Sequence, residues 1–232
     1  MNLSELSNPA TISLVVFLFG YLSYYFSYES KLVMHWAQKL GDSGTRKEIA
    51  IHLPRIIGFI TLGLLPILVV ILFFDLPIQN YGFQIPQGEY LLILSLLLLG
   101  ATLLVSIFRP TKRINTDFYP QIRLEQWDRK DHIRNAVSWI LYLFGYEFIL
   151  RGMLFFSCVH AFGLVPAIVI NSVIYSLIHI YKGKGEAFGA FFLGILLCLV
   201  AFHTNSFILS FVVHVILAVG NDLKALQASK TD

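Results

Sequence analysis

The chain has 232 residues, of which 56% are hydrophobic and only 13% charged, with a formal net charge of +3. Soluble domains carry roughly a quarter charged residues, and several runs of about 18 or more residues here hold no charge at all. The composition therefore excludes a soluble globular protein and defines an all-α, polytopic membrane helix bundle, its small positive charge suited to anionic lipid rather than nucleic acid.

Apolar segments at 12–26, 56–74, 90–108, 136–159, 164–180, 187–202 and 207–219 predict about seven transmembrane helices. The first follows MNLSELSNPA, which has no basic residue, and reads as a retained span rather than a signal peptide. Residues 29–55 are polar enough for a loop, with a short interfacial helix at 31–40. Residues 110–132, with two prolines and Trp127 among charges, read as a surface-lying connection. The last apolar run falls short of the roughly 20 residues a span needs, so it must borrow flanks or sit where the bilayer is thinned. Spans drawn this way hold no ionisable side chain before residue 130 other than tyrosine. The chain then divides into early spans and loops at 1–133, a helical core carrying the chemistry at 134–222, and a tail at 223–232.

Basic residues alternate between connections. Lys31, Lys39, Arg46, Lys47 and Arg55 follow the first span, a cluster from Arg109 to Arg134 follows the third, Lys182 and Lys184 follow the fifth, and Lys224 and Lys230 come last. The other connections lack Lys and Arg. The positive-inside rule then places the N-terminus outside and the C-terminus in the cytoplasm. Cys158 and Cys198 sit in apolar runs without CxxC or CxxH spacing, which indicates neither a disulfide framework nor a thiolate zinc site.

Glu147 and Arg151 lie inside the fourth apolar segment, where each charge costs roughly 2.5–3.5 kcal/mol on insertion scales. Their spacing puts them on one helix face with the acid N-terminal, the favourable order for an ion pair. That pair alone could serve only to neutralise two charges and lock the bundle. His179 ends the fifth segment, and His214 sits in the seventh without a polar neighbour for several positions, so it needs a partner on another helix. Glu186 opens the sixth segment, where a helix N-terminus already favours a carboxylate, and it is close enough to His179 to share its site. Two chemistries suit this set. In one, a Glu–His couple deprotonates water while the second histidine donates to an oxyanion. In the other, His179, His214 and a carboxylate such as Glu147 hold a metal, zinc for instance, with an open position for water.

The order YEFILRG, YSLIH and HVILA on successive late segments resembles the EExxxRG, FxxxH and HxxxN/D signature of the CAAX-protease and bacteriocin-processing (CPBP or Abi) family of intramembrane endopeptidases. The resemblance covers residues 134–222 and implies hydrolysis of a peptide bond in a membrane-associated peptide or protein, with no cofactor if the site is of the glutamate type. Tyr146 occupies the position of the family's first glutamate, and Ala218 that of the oxyanion-stabilising Asn or Asp, with Asn221 the next amide on nearly the same face. Some bacterial members are similar to this chain at Tyr146, Glu147, Arg151, His179, Lys182, Glu186, His214 and Asp222. The roles this implies are Glu147 or Glu186 as base, His179 as its partner, His214 as oxyanion donor and Arg151 as counter-ion, with Tyr146, Tyr175, Lys182, Asn221 and Asp222 near the substrate. The alternative is a non-catalytic relative that binds a peptide, a lipid or a membrane partner. A small proton-coupled transporter is disfavoured by the missing ionisable groups in the first three spans.

Overall fold

A computed structural model of the chain describes residues 8–41 and 45–228. Helices account for the regular structure among these residues. Helix α1, Pro9–Ser27, starts where Asn8 Oδ1 accepts the Ala10 amide at 2.9 Å, satisfying an N–H that the first turn leaves open. It buries Ser13, Phe17, Gly20 and Tyr24 along one stripe. Helix α2, Lys31–Leu40, has the predicted bounds and buries only Val33 and Ala37. Its Leu32, Met34, Trp36 and Leu40 are exposed, the arrangement of a helix lying along a surface.

Helices α3, Arg46–Phe59, and α4, Leu65–Phe73, are one continuous rod joined by a π turn at Ile60–Leu64. Pro66, which has no N–H to give, lies two residues beyond it, and the wider turn accommodates it. The polar segment expected to loop as far as Arg55 is therefore helical from Arg46 onward, and its charges enter the bundle. Arg55 is fully buried, which corrects the expectation that the early spans hold no ionisable group but tyrosine and removes that ground for setting a transporter aside. The reason is helical phase: Glu48, His52 and Arg55 recur at spacings of four and three, so one face turns all of them inward.

Helix α5, Glu89–Phe108, fully buries only Ser95 and Thr102 and is mostly exposed and apolar. The connection that follows does not lie on the surface as expected. Ile114, Tyr119 and Ile122 are buried, and the segment packs against the end of the bundle.

Helix α6, Arg129–Glu147, a second π turn, Phe148–Leu154, and α7, Phe155–Phe162, form the central rod. A reciprocal capping box between Asp128 and Asp131 starts it. The two backbone hydrogen bonds that Asp128 accepts at this helix start hold its carboxyl below its ordinary range, the Asp131 amide contributing most. The bundle wraps this rod: 83% of its most apolar window is buried, against 6% for α5. Helices α8, Leu164–Leu177, α9, Lys184–Thr204, and α10, Ile208–Ala228, complete the fold.

Among the described residues, six rods are long and apolar enough to cross a membrane, and α8 is a shorter apolar helix. The chain is thus a multi-pass integral membrane protein. The short last apolar run borrows its C-terminal flank, one of the two outcomes expected of it: α10 continues through Asn221 and Asp222 by pairing both with other elements. Of the tail, Lys230 lies outside the described residues.

The α3–α4 and α6–α7 rods meet backbone to backbone. A Cβ on Gly145 would stand 2.8 Å from the Gly63 nitrogen and 3.0 Å from its Cα. Gly145→Val should therefore destabilise the protein by about 1–3 kcal/mol through overpacking, read as a lower thermal midpoint in detergent, whereas Gly100→Val on the open face of α5 should leave it unchanged.

Candidate functional site

Glu147, the last residue of α6, is completely buried, as is Arg151 in the π turn. The sequence-predicted ion pair forms, with Arg151 Nη1 3.3 Å from Glu147 Oε2. The guanidinium also lies over the Tyr175 ring of α8, 4.0 Å from its centroid. Beneath the pair, the carbonyl of Leu150 accepts from Asn171 Nδ2 at 2.6 Å, and Asn171 Oδ1 accepts from Cys198 Sγ at 3.3 Å. The π turn is thereby tied to α8 and α9.

The isolated histidine of α10 finds the partner its sequence demanded. His214 Nδ1 stands 2.6 Å from Glu147 Oε1, so one carboxylate joins Arg151 on its own rod to His214 on α10. His179, just beyond α8, has Nδ1 2.8 Å from the carbonyl of Tyr175. A carbonyl only accepts, so His179 Nδ1 carries the proton and its Nε2 bears the lone pair when the ring is neutral. The same logic applies to His214 against the carboxylate. Tyr175 packs between the two imidazoles, with ring centroids 4.5 Å from His179 and 6.0 Å from His214.

Both histidines border an open cleft of about 640 Å³, together with Tyr175, Lys182, Glu186 and Asn221. Arg109 at the end of α5 forms part of the wall and is fixed by Asn221 Oδ1 at 2.9 Å and the Arg113 carbonyl at 3.1 Å. Behind the cleft is a small aromatic chamber of about 20 Å³ edged by Tyr142, Tyr146, Tyr181 and both histidines. That is room for about one water, with polar groups to hold it. Tyr146 thus sits by the histidines, its ring 5.5 Å from that of His214.

Two sequence-predicted residues fall elsewhere. Glu147 does not line the cleft; it stands behind His214. Asp222 is also off the cleft and buried, accepting from Asn135 Nδ2 at 2.8 Å and Trp139 Nε1 at 2.7 Å. It belongs to a second polar centre built on Arg55, which donates to Asn135 Oδ1 and Gln121 Oε1 at 2.8 Å and to Ser138 Oγ at 2.7 Å, and stacks on Trp139 at 3.9 Å. Trp139, which lines the cleft, was not singled out from sequence. The inward stripe of Glu48, His52 and Arg55 was the signal for this centre.

A three-ligand metal site from His179, His214 and Glu147 does not fit this geometry. Among the described residues no three His, Cys, Asp or Glu side chains group closely enough to hold one ion, and the carboxylate is engaged by His214 Nδ1 and Arg151.

A multi-pass helical membrane protein with a buried Arg–Glu–His chain opening on a cleft is the class these observations define. Residues 132–219 match the family model of the Type II CAAX prenyl endopeptidases, Rce1-like, a protease family, in agreement with the resemblance its motifs carry. No curated protein and no solved structure matches the chain.

Removing the guanidinium would leave Glu147 without its compensating charge. Arg151→Ala should cost about 3–5 kcal/mol, read as lower accumulation and a lower thermal midpoint in detergent; an unchanged midpoint would show that the charge is not enclosed.

Proposed function

We propose that the chain is an intramembrane endopeptidase of CAAX-protease type that hydrolyses a peptide bond of a membrane-associated peptide or protein with a histidine-activated water. The observation that carries this reading is the 2.6 Å contact between Glu147 and His214 at a cleft that His179 shares. Glu147 is enclosed and cannot reach a cleft water, so it serves as the positioning residue that fixes the His214 tautomer. His214 Nε2 is then the base, in place of the oxyanion role that resemblance implied. It takes a proton from the water in the inner chamber as the oxygen attacks the scissile carbonyl carbon, and returns that proton to the leaving amine as the C–N bond breaks. His179 Nε2 accepts the water's other O–H and aims it. No cofactor enters these steps.

The membrane in this reading is a bacterial inner membrane, with the N-terminus outside and the cleft on the cytoplasmic side. The cations Arg109, Lys112, Arg113 and Lys182 border the cleft, which supports that orientation. Reporter fusions after residues 80, 184 and 232 should read outside, inside and inside; a cytoplasmic signal at residue 80 would defeat it.

Purified protein in liposomes, offered an S-farnesylated peptide with a free C-terminus and a non-lipidated transmembrane peptide, tests the activity. His214→Ala and Glu147→Gln should each lower turnover at least about 10²-fold, while Glu186→Gln should change it less than about tenfold, separating the two candidate bases. Tyr146 and Ala218 stand where the family keeps polar groups, which favours the non-catalytic alternative; absence of wild-type cleavage of both probes would establish it.

A further inference from the structure

Trp139, His179, Lys182 and His214 are the four residues that edge both the cleft and the inner chamber. They form the neck where a bound carbonyl and a chamber water would meet. Both histidines present a lone pair there, because their Nδ1 protons are committed to Glu147 and to the Tyr175 carbonyl. Hydrolysis also needs a donor aimed at the oxygen that becomes negative, and the position the resemblance assigns to such a donor is Ala218. Two neck residues carry only donors, and Trp139 gives its Nε1 proton to Asp222 at 2.7 Å, which leaves Lys182.

Lys182 is held in place from several sides. Its carbonyl accepts from Asn115 Nδ2 at 2.8 Å, and Nζ stands 3.4 Å from the Tyr119 hydroxyl. The ammonium lies 4.8, 5.7 and 5.9 Å from the ring centroids of Phe118, Tyr119 and Tyr181, which favour the cation but leave N–H groups to give. Gly183, next in the chain, has φ 105°, a conformation that suits glycine and turns the backbone sharply into α9.

We propose that the Lys182 ammonium is the oxyanion-stabilising donor of this site, an assignment that rests on the hydrolytic reading above. As the water oxygen bonds to the carbonyl carbon, the carbonyl π pair moves onto oxygen, and Lys182 hydrogen-bonds the resulting anion without transferring its proton. Collapse of the intermediate re-forms the carbonyl and expels the amine, protonated by His214. Lys182 ends as it began.

The charge state of this lysine gives the assignment a signature. Burial pushes Lys182 down to about 8, against the opposing pull of Glu186 on α9 and Asp222 on α10. Arg55 on α3 acts in the same direction as burial. The cleft and chamber also set Tyr119, Tyr181, His179 and His214 around it, with the cations Arg109, Lys112 and Arg113 on the cleft wall and the phenols of Tyr21, Tyr24, Tyr142, Tyr146 and Tyr175 beyond. The ammonium is the active form, so turnover is supported below about pH 8 and lost as the pH rises through that value.

The test uses the full chain in liposomes with the same two peptide probes. Lys182→Met keeps the apolar stem in its aromatic cage and should lower kcat about 10²–10³-fold with KM within about threefold and an unchanged thermal midpoint. Lys182→Arg should restore most of kcat and move the alkaline limb to higher pH. Lys182→Met with kcat within about threefold of wild type, or a limb that stays near pH 8 in Lys182→Arg, overturns the assignment alone. Should Lys182→Met fail to accumulate, the Lys182→Arg profile decides. Failure of the wild type to cleave either probe removes the hydrolytic reading and the assignment with it.

Discussion

The structure depends on one carboxylate with two partners. Glu147 lies wholly inside the bundle, in contact with Arg151 one turn on and with His214 on another helix. A lone buried charge would cost several kcal/mol, so each contact is conditional on the other two groups keeping their places. The central rod cannot rotate, and α10 cannot slide, without leaving a charge uncompensated. The site is therefore also a clamp on the fold.

A second buried cation plays the same part at the cleft-side end. Arg55 draws together the connection after α5 through Gln121, the central rod through Asn135, Ser138 and Trp139, and α10 through Asp222, itself bound by Asn135 and Trp139. The two centres share the central rod and α10, one at His214 and one at Asp222. Trp139 belongs to the second and faces the cleft of the first, so the position of the cleft wall is set by charges that never meet a substrate. The surrounding helices contribute mainly apolar contact, and α5, which packs against α10, leaves most of its surface exposed.

Much of the site was legible because it obeys helical spacing. Glu147 and Arg151 are four residues apart on one face, and an unaccompanied histidine in an apolar run must find a partner elsewhere, as His214 does. What spacing could not give was which partner, since that depends on how α10 crosses the central rod. Nor could it give the roles, because the proton position on His214 follows from a carboxylate that only the fold brings near, and that on His179 from the rotamer that turns its ring back to the Tyr175 carbonyl one turn earlier. Arg55 was misread for a simpler reason. Hydropathy draws a span where the apolar run begins, whereas a helix in contact with protein can begin earlier and turn its polar stripe inward. The buried Ile114, Tyr119 and Ile122 show the same limit for a connection whose composition is polar but whose apolar residues dock.

The π turn at Phe148–Leu154 has a consequence for reading chains of this kind. A π turn takes one residue more than the α turn it replaces, so every side chain beyond it is displaced by about 100° around the axis from where an unbroken helix would put it. The two halves of the central rod are thus out of phase: α6 aims Glu147 by one wheel and α7 packs Phe155 and Cys158 by another. An alignment that counts straight through residues 129–162 against a regular helix would match the polar half faithfully and assign the outer half to the wrong neighbours, unless it opens a single-residue gap in that turn.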